Sequence, residues 1–90
     1  EGAGTFDFIY VDGSHQAPDV MSDAILGFNL LKIGAIMGFD DYLWFERLPD
    51  GKDLMRMPKF GIDSFTNVFI RKLDIIGTAS KQLYVQKKSE

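Results

Sequence analysis

An open α/β layer built on a β-α-β unit is the fold class this sequence predicts, and three observations predict it. Phe6 to Val11 and Ala35 to Phe39 are continuous apolar runs, the pattern of parallel strands covered on both faces. Between them, apolar residues recur at helical spacing over a length that suits the crossover two parallel strands require. Beyond them, two short β-rich runs separated by a tight turn read as a terminal hairpin with an antiparallel member.

The first strand, Phe-Asp-Phe-Ile-Tyr-Val, ends abruptly at Asp12-Gly13-Ser14. Pro18 suits the first helical position, and Val20, Met21, Ala24, Ile25, Phe28 and Leu31 follow at spacings of three and four, which predicts a helix over about 18–32. Gly34 is read as its C-terminal cap. Residues 41–61 hold Pro49, Asp50-Gly51 and Pro58 among mixed aromatic and charged positions, so a long irregular loop is expected after the second strand. Ile62, Phe65, Phe69 and Leu73 mark the face of a second helix, with Asp63 or Ser64 as its cap. Ile75 to Thr78 and Leu83 to Gln86 are the hairpin strands. No repeat or low-complexity tract interrupts this order.

A chain of 90 residues fits one small domain with a thin core, since only a little over ~60% of the unfolded surface is buried at this size. The formal charge of −3, with scattered basic residues and a short Lys87-Lys88 tail, offers no footprint for nucleic acid or an anionic membrane. A small-molecule substrate is the expected partner. The absence of cysteine removes disulfides, thiolate zinc sites and thiol nucleophiles, and a cytoplasmic location is the expectation. No apolar run approaches the ~20 residues of a membrane span.

Ligands of open α/β sheets bind beyond the carboxyl ends of the parallel strands, and both strands here finish in acid, Asp12 after the first and Asp40-Asp41 after the second. If those strands are neighbours at ~4.8 Å, the acids converge. An unrelieved pair of charges at ~5 Å costs on the order of 3 kcal/mol at an effective dielectric of ~20, so a cation, basic neighbours or protonation must intervene. An all-oxygen donor set suits Mg²⁺ or Ca²⁺. The alternative is that Asp12 serves its turn and the other two are solvated residues leaving a strand. His15, the single histidine, is a candidate general base or metal neighbour; it is equally a capping or surface residue. Tyr42, Trp44 and Phe45 are candidates to wall a pocket, although aromatic residues beside strands more often just pack. Gly2-Ala3-Gly4 precedes a strand and opens no helix, so it is no phosphate loop. Serine-hydrolase, dithiol and zincin motifs are absent.

The stretch from Phe6 through Asp12-Gly13-Ser14-His15, followed after a helix by Leu30-Leu31-Lys32-Ile33-Gly34 and by Phe39-Asp40-Asp41-Tyr42, closely resembles the fourth and fifth strands of class I S-adenosylmethionine-dependent methyltransferases. Pro58 to Phe65 and Gln82 to Lys87 are similar to the last helix and final strand of bacterial domains of this kind. The resemblance implies a partial Rossmann-like sheet with a three-layer tendency, and places residues 1–90 in one partial domain, the C-terminal half. It also implies metal-assisted O-methyl transfer to a small molecule or sugar. Asp12, Asp40 and Asp41 would hold Mg²⁺, with His15 and Asp12 as the catalytic residues. The family's glycine-rich loop and ribose-holding acid match nothing here, so S-adenosylmethionine would be bound mostly by a preceding half, its ligands here are unknown, and the 90 residues by themselves would be inactive.

A preceding half would also supply the neighbour of the first strand. Its apolar edge, Phe6 to Val11, is therefore expected to be open and to drive self-association. The competing reading is a non-catalytic, dimerising half-Rossmann module that keeps its acids as surface charges. A phospho-acceptor receiver domain places its acid pair on an earlier strand than its acceptor, the reverse of the order here, and Asp12-Gly13-Ser14 is not the Asp-x-Asp of glycosyltransferase metal sites.

Overall fold

A computed structural model describes residues 4–12, 15–44, 48, 49, 51–79 and 81–90. Gly2-Ala3, the Gly13-Ser14 part of the first turn, Phe45 and Asp50 lie outside the described residues. The elements run β1 (Phe6–Val11), α1 (Ala17–Leu30), β2 (Leu31–Phe39), a 3-10 turn (Leu54–Arg56), α2 (Pro58–Val68), β3 (Leu73–Ala79) and β4 (Gln82–Lys87). The four strands form one sheet in the order β1-β2-β4-β3. β1 and β2 are parallel neighbours joined by α1, and β4 lies antiparallel between β2 and β3. This is the expected α/β class, a partial Rossmann-like sheet ending in a hairpin.

Alternation along the strands decides which residues face the helices. Met37, Phe39, Leu83, Val85 and Leu73 are buried on one face with Val20, Ala24 and Phe28 of α1 and Ile62 and Phe65 of α2. Aromatic rings bind the layers together: Phe28 and Phe65 meet edge-on at 5.7 Å between centroids, and Phe39 lies 5.9 Å from Phe65. The helices cross closely because Gly61 has no side chain; a Cβ there would lie 2.4 Å from the Ala17 carbonyl oxygen.

The other face of the sheet is open. Phe6, Phe8 and Tyr10 are 47%, 51% and 37% exposed, so the expectation that β1 is covered on both faces is not met. Both helices of the described residues lie on the face of Met37 and Phe39, and the described residues therefore build two layers.

Element boundaries also differ from those read in the sequence, and Leu73, read as the last residue of the second helix face, instead opens β3, with α2 ending at Val68. α1 ends at Leu30, and Gly34, expected as its cap, lies inside β2 with φ of 92°. The reason is a bulge: Phe6 pairs with Leu31 and Phe8 with Ile36, so the chain reaches the sheet at Leu31 and accommodates extra residues before regular pairing resumes. α2 begins at Pro58, with Met57 as its N-cap, and not after Asp63 or Ser64. A proline is preorganised for the first helical turn, and this one is buried. The long loop is correspondingly shorter, and the 3-10 turn within it is capped by the Asp53 carboxylate accepting from Met55 N–H. Finally, Lys87 is no solvated tail residue. It ends β4 at 1% exposure, and its ammonium donates to the Phe28 and Leu31 carbonyls at 2.9 and 2.8 Å and to Glu90 Oε1 at 3.0 Å.

Candidate functional site

Regular parallel pairing of β1 and β2 ends at Val11 with Phe39, and the Asp40 N–H still donates to the Val11 carbonyl at 3.1 Å. The next residue on each strand is an acid, so the two chains release Asp12 and Asp40 side by side. Ligand oxygens of Asp12, Asp40 and Asp41 all lie within 4.8 Å of one another. Asp41 is the one non-glycine residue with positive φ, 53°, among the described residues, a conformation in which aspartate is tolerated better than most side chains.

Chain anchors hold the loop that carries Asp41. Tyr42 N–H donates to the Lys81 carbonyl in the hairpin turn at 2.8 Å, and Trp44 N–H closes a turn onto the Asp41 carbonyl at 3.0 Å. The Tyr42 hydroxyl donates to Asp63 Oδ1 of α2 at 2.7 Å, and Lys59 donates to the same carboxylate at 2.6 Å. Burial and the Asp63 hydrogen bond push the Tyr42 phenol up from its ordinary value, and the Asp63 hydrogen bond raises the Lys59 ammonium. Tyr42 is thus a brace between the end of β2 and α2.

His15 enters the cluster from the loop after β1. Its Nε2 is 2.9 Å from Asp41 Oδ2, and its ring stacks on Trp44 with centroids 3.9 Å apart and planes 17° from parallel. As a donor to a carboxylate, Nε2 carries a ring proton. All four residues singled out in the sequence, Asp12, His15, Asp40 and Asp41, therefore stand together.

Tyr10, Gln82 and Tyr84 belong to this end of the sheet and were not singled out by sequence reasoning. Gln82 Nε2 donates to the Tyr10 hydroxyl oxygen at 2.8 Å, and the Tyr84 hydroxyl donates to Gln82 Oε1 at 2.7 Å. Desolvation first, then the Asp40 hydrogen bond and the surrounding negative charge, push the Tyr10 phenol up to about 12. The available signal was phase: Tyr10 and Asp12 share one face of β1, and Gln82 and Tyr84 share one face of β4.

A concavity of about 670 Å³ lined by Leu48, Pro49 and residues 51–56 includes none of Asp12, Asp40 and Asp41. The acids stand on an open rim. They are partly exposed, with Asp12 the most so, which suits an ion reached from solvent better than a buried ion pair.

The open α/β sheet with acids gathered at the carboxyl ends of adjacent parallel strands is of the Rossmann-like class, in which ligands bind at that end. Residues 1–42 match the model of a family described as a methyltransferase domain. The matched stretch carries β1, α1, β2 and all four candidate site residues, and it supports a methyltransferase domain with methyl transfer as its general chemistry. No curated protein matches the chain.

Proposed function

We propose that the chain is part of an S-adenosylmethionine-dependent methyltransferase that transfers a methyl group to a hydroxyl of a small molecule or sugar with the help of a divalent ion. The observation that carries this reading is the convergence of three carboxylates at the ends of β1 and β2, inside the stretch that matches a methyltransferase domain.

The donor set fits a hard cation. Mg²⁺ takes oxygens at ~2.1 Å and Ca²⁺ at ~2.3–2.6 Å, so oxygens on opposite sides of one ion lie about 4–5 Å apart. The carboxylate oxygens already lie within 4.8 Å of one another, near enough that modest side-chain rotations would let all three reach one hard divalent ion. Asp12, Asp40 and Asp41 would hold the ion, and when bound it supplies Lewis-acid polarisation of an acceptor hydroxyl. His15 Nδ1, facing away from Asp41, is the acceptor for the hydroxyl proton. Asp41 fixes the imidazole tautomer and Trp44 fixes its plane, which keeps that lone pair in one place. The described residues supply no glycine-rich turn for S-adenosylmethionine, and no step is assigned to them on its behalf.

The test is Asp40→Asn in the complete enzyme, assayed by transfer of labelled methyl from S-adenosylmethionine into hydroxyl-bearing small molecules, with Mg²⁺ affinity measured in parallel. Loss of both, and loss of transfer on chelation, is expected. Unchanged Mg²⁺ affinity and unchanged turnover would sink the metal-assisted reading.

A second reading, assembly of two copies, is favoured by one observation: β1 is a sheet edge whose outward side chains Phe6 and Phe8 are about half exposed.

A further inference from the structure

We infer that Asp63 of α2 is a positioning residue for the acid cluster: by holding Tyr42 it fixes Asp41, and with Asp41 the His15 and Trp44 rings. The inference rests on the metal reading proposed above.

Asp41 starts from an unfavourable backbone. Its φ of 53° lies in the left-handed region, where a non-glycine residue stays only if its neighbours over-determine it. On the sheet side those neighbours are backbone groups. Asp40 N–H donates to the Val11 carbonyl at 3.1 Å and Tyr42 N–H to the Lys81 carbonyl at 2.8 Å, so the chain is held on either side of Asp41. The tie to the helix layer is the Tyr42 side chain, whose hydroxyl donates to Asp63 Oδ1 at 2.7 Å across 21 residues. A tyrosine has a rigid ring and two side-chain torsions, so one held both at its N–H and at its hydroxyl keeps little freedom. The peptide that joins it to Asp41 is held with it.

What Asp41 does depends on that placement. Its Oδ2 lies 2.9 Å from His15 Nε2, the His15 ring stacks on Trp44, and the Trp44 N–H closes a turn onto the Asp41 carbonyl. A rotation at Asp41 therefore moves a metal ligand, the partner of the imidazole and the ring it stacks on together. Asp63 holds this group without adding net charge beside it. Its Oδ2 accepts from Lys59 Nζ at 2.6 Å one helical turn earlier, and the same ammonium lies 5.2 Å from the centre of the Tyr42 ring. Lys59 thus orients the carboxylate, leaves Oδ1 to Tyr42 and offsets its charge, so Asp63 acts on the cluster by position and not by attracting the ion. Partners of this kind behind a metal ligand typically change metal affinity by ~10–100-fold when removed.

The experiment is titration calorimetry of the full chain with MnCl₂, a hard divalent probe of oxygen sites, alongside metal-free thermal unfolding and fluorescence. Trp44 is the one tryptophan of the chain, so its emission reports the stack on His15. Asp63→Ala and Tyr42→Phe are each expected to weaken Mn²⁺ binding ~10-fold and to change Trp44 emission alike, and the double variant no more than either alone, because both act through one bond. Asp63→Asn removes the charge but its amide still bonds the Tyr42 hydroxyl, so most of the affinity is expected to remain. Lys87→Met, which perturbs the opposite end of β4, is the control that lowers stability without moving the affinity. Mn²⁺ binding that is lost in Asp41→Asn but intact in Asp63→Ala and Tyr42→Phe overturns the inference and leaves the metal reading standing. So does an Asp63→Asn as weak as Asp63→Ala beside an unaffected Tyr42→Phe, which would mark a role of charge alone. A wild-type chain that binds no Mn²⁺, or binds it no better than Asp41→Asn does, overturns the metal reading and the inference with it. An equal loss of affinity in Lys87→Met and Tyr42→Phe shows general loosening and also overturns the inference.

Discussion

Tyr10 ties protonation to folding in a way its place in an apolar strand does not suggest. The phenol ionises near 10 in an unfolded chain and near 12 here, so the folded state holds this proton more tightly. Its contribution to stability is complete below pH 10 and is lost as pH rises through about 12, because above 10 the unfolded chain gains by ionising while the folded chain does not. Alkaline unfolding followed by circular dichroism is therefore expected to fall more steeply with pH over that window in the wild type than in Tyr10→Phe. Superimposable profiles would show that the phenol has no such role. Lys87 is a second residue whose surroundings set its part. The sequence groups it with Lys88 as a short basic tail, yet in the fold it falls on the buried phase of β4 with Leu83 and Val85. What reverses that reading is the end of α1, whose carbonyls at Phe28 and Leu31 require donors and carry the negative end of the helix dipole. Lys87→Met keeps most of the buried stem and removes those donors. A loss of about 2 kcal/mol in denaturant unfolding is expected, the leftover carbonyl cost being offset in part by relief of a buried charge.

Helix and strand identity was legible from short-range periodicity, whereas element ends were not. The α1 face of Val20, Ala24 and Phe28 is buried as its spacing implies. Gly34 misled because a glycine after an apolar helical run is the common stop signal, and here the positive φ it permits serves a bulge in β2. The start of α2 was missed for a related reason: Pro58 was weighed as a loop residue, although it suits a first turn equally well. Gly61 has its meaning only between elements. With the Ala17 carbonyl at 2.4 Å from an added Cβ, Gly61→Ala must push α2 away from α1. Its higher helix propensity, worth ~1 kcal/mol, is outweighed by the overpacking, and a net loss of about 2 kcal/mol is expected. For a chain of this size that is a fall of about 10 °C in melting temperature by calorimetry. An unchanged melting temperature would mean the helices part without cost.

Across the molecule, one sheet face is packed and the other is not. Phe6 and Phe8, with the β1 edge beside them, form the apolar region from which the assembly reading follows. Self-association at micromolar concentration, seen by light scattering, is the expected outcome, weakened by Phe8→Lys; a monomer at that concentration would count against it. Among the described residues no helix is long and apolar enough to cross a membrane. The amino-acid order alone settled the parallel β-α-β unit, the terminal hairpin and the acids at both strand ends, because each is written in local periodicity and turn chemistry. It did not contain the partners of those acids. Gln82 meets Tyr10 across a separation of 72 residues, and Asp41 meets His15 across 26. Such pairings depend on β4 inserting beside β2 and on the bulge that sets the β1 register. Periodicity tells each residue which face it takes, while strand order and register choose which neighbour it finds there.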